Sequence, residues 1–281
     1  MVALTSTVLS KSISTLNHAP ISRAVLLLQC QNSSTQIKPE NRYNGFNVFS
    51  RIYKEQGLLS FWRGNLPACL KTIPVFVLHR WFSVPLKNLF GLKDPNKAGM
   101  KKFLANLTAG GLAGTISLMI SYPIEFCRVR MAMDVGATPK ERMFNSYSHI
   151  WSKISNSEGL KGFYKGLPVS IIGIFAYRGL YFGLFDTFKT LVSQNFFMMW
   201  LFAQGTTMSA MILTYPLNTV KGRMMMQSGR KNPQYKNSFD SIKTIARKEG
   251  IRGFYGGLGV SLITSTGATI ALMIYSSFDK K

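Results

Sequence analysis

The sequence predicts an all-α membrane protein with six transmembrane helices in three pseudo-symmetric repeats, joined by short amphipathic helices. Composition is the first observation behind this. The 281 residues are 46% hydrophobic and only 16% charged, yet carry a formal net charge of +23. Lys and Arg sit in short clusters between long apolar stretches, as at the ends of membrane spans. A nucleic-acid binder of this length would collect them on one face or tail, so nucleic acid is not an expected partner. The second observation is a recurring breaker motif: "HAPISRAV" at 18–25, "SYPIEFCR" at 121–128 and "TYPLNTVK" at 214–221. The third is an echo after each block, "RIYKEQGLLSFWRGNLP", "WSKISNSEGLKGFYKGLP" and "IARKEGIRGFYGGLG". Self-similarity at a fixed period marks a repeat architecture.

Pro20, Pro123 and Pro216 lie 103 and 93 residues apart, which sets the repeats at 1–98, 99–194 and 195–281. Each is too small for a large core of its own, so the three are read as one membrane domain. The opening "MVALTSTVLSKSISTLNHAPISR" lacks acid and is rich in Ser and Thr, as organellar targeting segments are. Its Arg content is low and its apolar periodicity runs into "RAVLLLQ", so it reads as a polar first membrane helix. The spans follow at about 3–28, 66–90, 103–132, 168–191, 197–226 and 257–278. Each meets the roughly 20 residues that a bilayer requires at 1.5 Å per residue. Several contain polar residues and proline, which lipid tolerates only where helices surround a polar interior. Gly110 with Gly114, and Gly205 with Ser209, stand at spacings that let helices approach closely. Cys30, Cys69 and Cys127 are scattered and lack a ligand pattern, so neither a metal site nor a disulfide framework is expected.

The thrice-repeated Pro, any, acid, any, any, base pattern, with an aromatic, base, Gly block after each short helix, resembles the mitochondrial carrier family across essentially the whole chain. Within it the sequence is most similar to the ADP/ATP carriers, whose hallmark is an Arg-Arg-Arg-Met-Met-Met run. Here that run reads Lys221, Gly222, Arg223, Met224, Met225, Met226 and continues "QSGRK". "KEQGLLSFWRGN" and "YRGLYFGLFDTFK" carry the same likeness. The resemblance implies a multi-pass protein of the mitochondrial inner membrane, with its short helices on the matrix side.

The resemblance also implies two gates built from salt bridges between repeats. Of the matrix gate, Glu125 and Arg128 remain in repeat two and Lys221 in repeat three, while Ser22, Val25 and Asn218 replace charges. Glu125 with Lys221 would then be the only surviving pair, with Arg128 facing Ser22 and Asn218 facing Val25. Of the cytoplasmic gate, Asp186 and Lys189 are intact, Val84 stands beside Lys87, and Ser276 beside Asp279. Asp186 with Lys87 is the one pair that can be assembled; in the opposite order Asp186 would meet another acid.

For the substrate, the resemblance implies Lys71, Arg178 and Arg223 on phosphate, Tyr177 and Tyr181 beside Arg178, and Gly173 and Ile174 flanking adenine. Thr15, Gly222 and Thr264 stand where the family has further basic residues. Each missing charge-assisted bond is worth roughly 1.5–3 kcal/mol, so weak or absent ADP/ATP binding is expected. The turns "FWRG" (Arg63, Gly64) and "FYKG" (Lys165, Gly166) resemble cardiolipin-binding sites at helix starts. An interfacial aromatic-basic anchor is the alternative. Bound cardiolipin is expected, and no other cofactor.

His18, His79 and His149 have no nucleophile or acid arranged around them, so no enzyme is expected. The methionine run reads as helix-face packing. Arg80, in place of an apolar residue, faces either the cavity or a partner. Two functions are left: a carrier-fold structural subunit of a larger, respiratory-type membrane complex with exchange weak or lost, and an active nucleotide antiporter. Fold retention does not decide between them. Loss of charge across both gates and the substrate site favours the first.

Overall fold

The computed structural model describes residues 2–90, 99–188, 196–230 and 232–264, which contain helices and turns and no strand. Long and short helices alternate as the repeat predicts. Repeat one holds α1 (Val2–Cys30), α2 (Asn47–Gln56) and α3 (Asn65–Leu89). Repeat two holds α4 (Gly99–Ala132), α5 (Tyr147–Glu158) and α6 (Leu167–Phe188). Repeat three holds α7 (Phe196–Met225), α8 (Ser238–Glu249) and the helical residues 258–264. The expected span 257–278 lies outside the described residues from 265 onward.

Five described helices, 22 to 34 residues long, have the length to cross a bilayer. Apolar composition singles out two segments, Phe103–Ala132 and Tyr147–Phe185, the second of which contains α5, a turn and most of α6. The remaining long helices carry polar residues that line an internal cavity, Ser14 and Thr15 of α1, Lys71 of α3, and Thr214 and Asn218 of α7. Pro20, Pro123 and Pro216 lie inside α1, α4 and α7, and Pro74 and Pro85 inside α3.

The short helices bury residues at i, i+4 spacing: Val48 and Ile52 in α2, Ile150 and Ile154 in α5, and in α8 Ser241 and Ile245. Side-chain caps start two of them. Ser146 Oγ accepts from His149 N–H, and Asn237 Oδ1 from Asp240 N–H. The methionine run closes α7, with Met224, Met225 and Met226 all buried in packed apolar clusters.

A cyclic contact ties the repeats together. Gly64, Gly166 and Gly257 precede α3, α6 and residues 258–264, and all have left-handed φ, at 83°, 87° and 79°. A Cβ on Gly64 would lie 2.7 Å from Arg128 O, one on Gly166 3.0 Å from Lys221 O, and one on Gly257 3.0 Å from Val25 O. Arg128, Lys221 and Val25 each stand five residues after a motif proline. Each repeat therefore rests a glycine on the same carbonyl position of the next, and only glycine permits both the backbone turn and the close approach.

A second contact is kept in two repeats and lost in one. Tyr122 and Tyr215, just before Pro123 and Pro216, stack on Tyr164 and Tyr255 and donate to the carbonyls of Lys165 and Gly256. Repeat one has Ala19 at that position, and Trp62 Nε1 bonds Leu16 O instead.

Candidate functional site

The long helices enclose a cavity of about 790 Å³. Glu125 stands behind its wall, only 6% exposed, and bonds the lining residues Lys71 and Lys221. Lys71 Nζ from repeat one donates to Glu125 Oε2 at 2.6 Å, and Lys221 Nζ from repeat three to Oε1 at 3.2 Å. Arg128 reaches back one turn to Oε2 at 3.5 Å. One carboxylate thus balances three cations drawn from all three repeats. Its two oxygens can accept about four hydrogen bonds, which is what makes such sharing possible.

Glu125 and Lys221 meet, but not as an isolated pair. Lys71, expected on phosphate, is held by Glu125 because both lost acids, at Ser22 and Asn218, leave that carboxylate as the nearest counter-charge. Arg128 also turns to Glu125, while Ser22 donates to Ala19 O within its own helix. Asn218 lines the cavity.

Gly173, Ile174, Tyr177 and Arg178 of α6 line the same cavity, and Tyr181 stacks on Tyr177 with ring centroids 6.3 Å apart. The Arg178 guanidinium lies against Gly110 and Gly114 of α4, so that a Cβ at Gly114 would fall 3.2 Å from Nη2. These glycines, read as a helix-packing pair, make room for a cation in the cavity wall.

Three residues of the signature run and of the family's basic positions stand apart from the described cavity wall. Arg223 is absent from the wall; it is 1% exposed, with Nη2 donating to Glu249 Oε2 at 2.8 Å and to Gly253 O at 2.9 Å. A buried guanidinium needs a carboxylate, and the Glu249–Gly250 turn beneath α7 supplies it. Gly222 faces Cys30 Sγ, which a Cβ would approach to 2.6 Å, because residue 222 points across to the end of α1. Thr264 turns its hydroxyl to Val260 O and, among the described residues, is not in the wall. Thr15 is in the wall.

At the opposite end Lys87 is exposed in the last turn of α3. Asp186 lies in α6, but its side chain is outside the described residues, as are Lys189, Ser276, Asp279 and the side chain of Arg80.

Below Glu125 lies a second polar layer that motif reading missed. Arg23 donates to Gln56 Oε1 at 2.6 Å and to the carbonyls of Ala132 and Asp134 at 3.0 and 2.9 Å. Arg130 donates to Met226 O at 3.1 Å. With Arg223, these place one buried arginine from each repeat in this layer: Arg23 bonds Gln56 and Arg223 bonds Glu249, each just before a glycine turn, while Arg130 bonds the carbonyl of Met226 with Glu158 as the nearby acid. The recurrence of those turns was the available signal.

The cations of the two expected lipid turns face inward. Arg63 Nη1 donates to Asp134 O and Gly136 O, both at 2.8 Å, and Lys165 Nζ pairs with Glu158 Oε1 at 2.7 Å. Gly64 and Gly166 sit at helix starts, where backbone N–H groups are the donors left for a phosphate.

Glu158 also accepts from Gly229 N–H at 2.9 Å and Ser228 Oγ at 3.2 Å, joining repeat two to repeat three. Burial raises its pKa, but the Lys165 and Gly229 bonds outweigh this and hold the carboxyl below its ordinary value. A depressed acid contributes stability that is complete above the unfolded pKa of about 4.3 and is lost as pH falls through the lower folded value. Thermal unfolding of Glu158→Gln between pH 7 and 3.5 should therefore show a lower midpoint than the parent at neutral pH and convergence at the acid end. A constant offset would contradict the linkage.

The sequence profile described as mitochondrial carrier protein matches residues 1–93, 99–196 and 193–281. The chain is 41% identical over 269 residues to ADP/ATP translocase 4 of Mus musculus, covering 93% of this chain and 84% of that protein. It is 40% identical over 270 residues to ADP/ATP translocase 2 of Rattus norvegicus, covering 93% and 91%. It is 39% identical over 270 residues to ADP/ATP translocase 3 of Bos taurus, with the same coverages.

Proposed function

The chain belongs to the mitochondrial carrier family, transporters that cross the mitochondrial inner membrane several times, and from that premise we propose that it is a member with weak or lost nucleotide exchange, serving as a structural subunit of a larger inner-membrane complex. Six spans in three pairs, with repeats at 1–98, 99–194 and 195–281, carry this role. The observation that carries the reading is the sharing of Glu125. Lys71, Arg128 and Lys221 lean on one carboxylate, so Lys71 reaches a phosphate only by giving up its 2.6 Å ion pair. Neither Ser22 nor Asn218 supplies the acid that would re-form a separate bridge in each repeat interface. A transporter needs two states whose balance the substrate shifts, and a lock with one acid for three bases is poorly suited to reversal. The inter-repeat glycines and aromatic stacks, by contrast, maintain a shape that a partner can bind. Cardiolipin is proposed at the starts of α3 and α6, bound by N–H groups at Gly64 and Gly166.

A second reading rests on the cavity. Its volume of about 790 Å³ lies within the range of small-molecule sites, roughly 300–1,000 Å³, and Tyr177 and Arg178 offer a ring and a cation. On this reading the chain exchanges ADP for ATP, as the names of its relatives describe for them.

One experiment separates the two. The chain is reconstituted in cardiolipin-containing liposomes for ADP/ATP exchange, while mildly solubilised native membranes are resolved by native electrophoresis and mass spectrometry. The first reading expects negligible exchange and migration at fixed stoichiometry in a larger complex, with about 1,000 Å² or more buried against a neighbour. Thr15→Lys, which adds a cation to the cavity wall, should tighten nucleotide binding about tenfold or more. Saturable exchange by the parent chain, with migration only as a lipid-bound monomer, selects the second reading.

A further inference from the structure

Beyond the central cavity, the turn that ends α7 forms a second enclosed space. Gly229 has φ +73°, and a Cβ there would lie 2.8 Å from Ile154 Cδ1, so the chain turns closely over α5. Arg230 then reaches back to the carbonyl of Ser33. The space so formed measures about 300 Å³ and is walled by all three repeats: Thr35 and Gln36 from the first, Arg130 and Phe144 from the second, Met226 and Arg230 from the third.

Its charges do not balance. Arg130 forms the floor at 5% exposure; among the described residues its one bond is to a neutral carbonyl, Met226 O, and its Nε has no partner. Lys153 stands at the exposed rim. Arg130 Cζ and Lys153 Nζ both lie 5.1 Å from the Phe144 ring centroid, so two like charges share one aromatic ring. Arg230 adds a third. None of the three makes an ion pair among the described residues. Asp134 is the one carboxylate in the wall, and its oxygens are already taken by Gln36 Nε2 at 2.9 Å, Phe144 N–H at 3.1 Å and Gly136 N–H at 3.3 Å.

One buried cation, Arg130, a half-buried one, Arg230, and an exposed one, Lys153, face a single committed acid in the wall, and Glu158, which acts on Arg130 from outside the wall, is itself paired with Lys165. A buried charge without a partner is costly, and an anion with several acceptor oxygens removes that cost. The volume is at the small end of ligand sites. We propose that this pocket binds a phosphate dianion, free or as the terminal group of a small phosphate monoester, entering past Lys153 and Asn232. Because its wall comes from three repeats, occupancy fastens them together, independently of the Glu125 cluster.

The probe is inorganic phosphate, titrated into the purified full chain in lipid-free detergent and followed by phosphorus NMR and thermal unfolding. Saturable binding with a raised midpoint is expected. Lys153→Gln, at an exposed position where the fold does not depend on the charge, should weaken binding about tenfold, as loss of one charge-assisted contact does, and Arg230→Gln should do the same. Arg178→Gln, in the central cavity, should leave it unchanged. A lipid phosphate offers the same chemistry, so the titration is repeated with cardiolipin in the micelles. Competition there assigns the pocket to a lipid head group and overturns the soluble-phosphate proposal; undiminished phosphate binding supports it. Equal binding by the parent and Lys153→Gln, loss in Arg178→Gln, or no saturable binding at all overturns it as well.

Discussion

Glu125→Gln is expected to destabilise the fold more than any other single polar substitution around the cavity. The change is nearly isosteric, so its cost is electrostatic. Lys71, Arg128 and Lys221 would remain within a few ångströms of one another with no carboxylate between them. Removing one partner from a buried ion pair costs about 3–5 kcal/mol, and here one acid serves three bases. For a chain of this size that corresponds to a fall of about 10 °C in the unfolding midpoint. The measurement is thermal unfolding in mild detergent with a thiol-reactive dye, since Cys30 and Cys127 are buried free thiols. Lys71→Gln serves as the contrast: it leaves Glu125 with two cations, so its effect should be less than half as large. Asn218→Asp in the Glu125→Gln background, which restores an acid to the cavity wall, should recover part of the loss. A shift of about 2 °C or less for Glu125→Gln, under 1 kcal/mol at this size, would remove the single-carboxylate account.

The second large effect is expected from Gly222→Arg, which restores the family's residue in the signature run. Alignment of motifs suggests a gain of nucleotide binding. The structure indicates a severe loss of stability, because the position points at Cys30 Sγ, 2.6 Å from where a Cβ would stand, and both residues are buried. Overpacking costs about 1–3 kcal/mol, and a guanidinium confined there without a carboxylate adds several more. Failure to accumulate, or a midpoint lowered by about 10 °C or more, is the expected result. Gly222→Ala isolates the steric part, and Gly222→Ala with Cys30→Ala should relieve it, since the opposing sulfur is gone. Tighter ADP binding by Gly222→Arg at parental stability would place residue 222 in the cavity wall and refute this account.

These two residues show what a motif can and cannot specify. Glu125 is legible from its place two residues after Pro123, and its contact with Lys221 follows from the repeat. That Lys71 joins them is not legible: Lys71 lies in another repeat, outside the motif, and its partner depends on which acids are missing around the ring. Gly222 and Arg223 are adjacent in a run that reads as one functional unit. A helix turns about 100° per residue, so neighbours point to different surroundings. Arg223 goes down to Glu249, Gly222 across to Cys30, and Lys221 up to Glu125.

The sequence by itself determined the family, the three repeats, the helix order and the short amphipathic helices. Each of these rests on local signals: proline and glycine at fixed offsets, apolar runs, i, i+4 spacing and capping residues. Those signals survive substitution of any one charge. Only the tertiary structure decided which cations are neutralised and by what. Electrostatic partnership depends on distance in space and on burial, and a carboxylate binds whichever base the fold brings within about 3 Å. For the same reason the cation-lined pocket of Arg130, Lys153 and Arg230 has no mark in the sequence. Its three cations come from two repeats, its walls from three, and its shortage of negative charge exists only once Asp134 has been spent on its own loop.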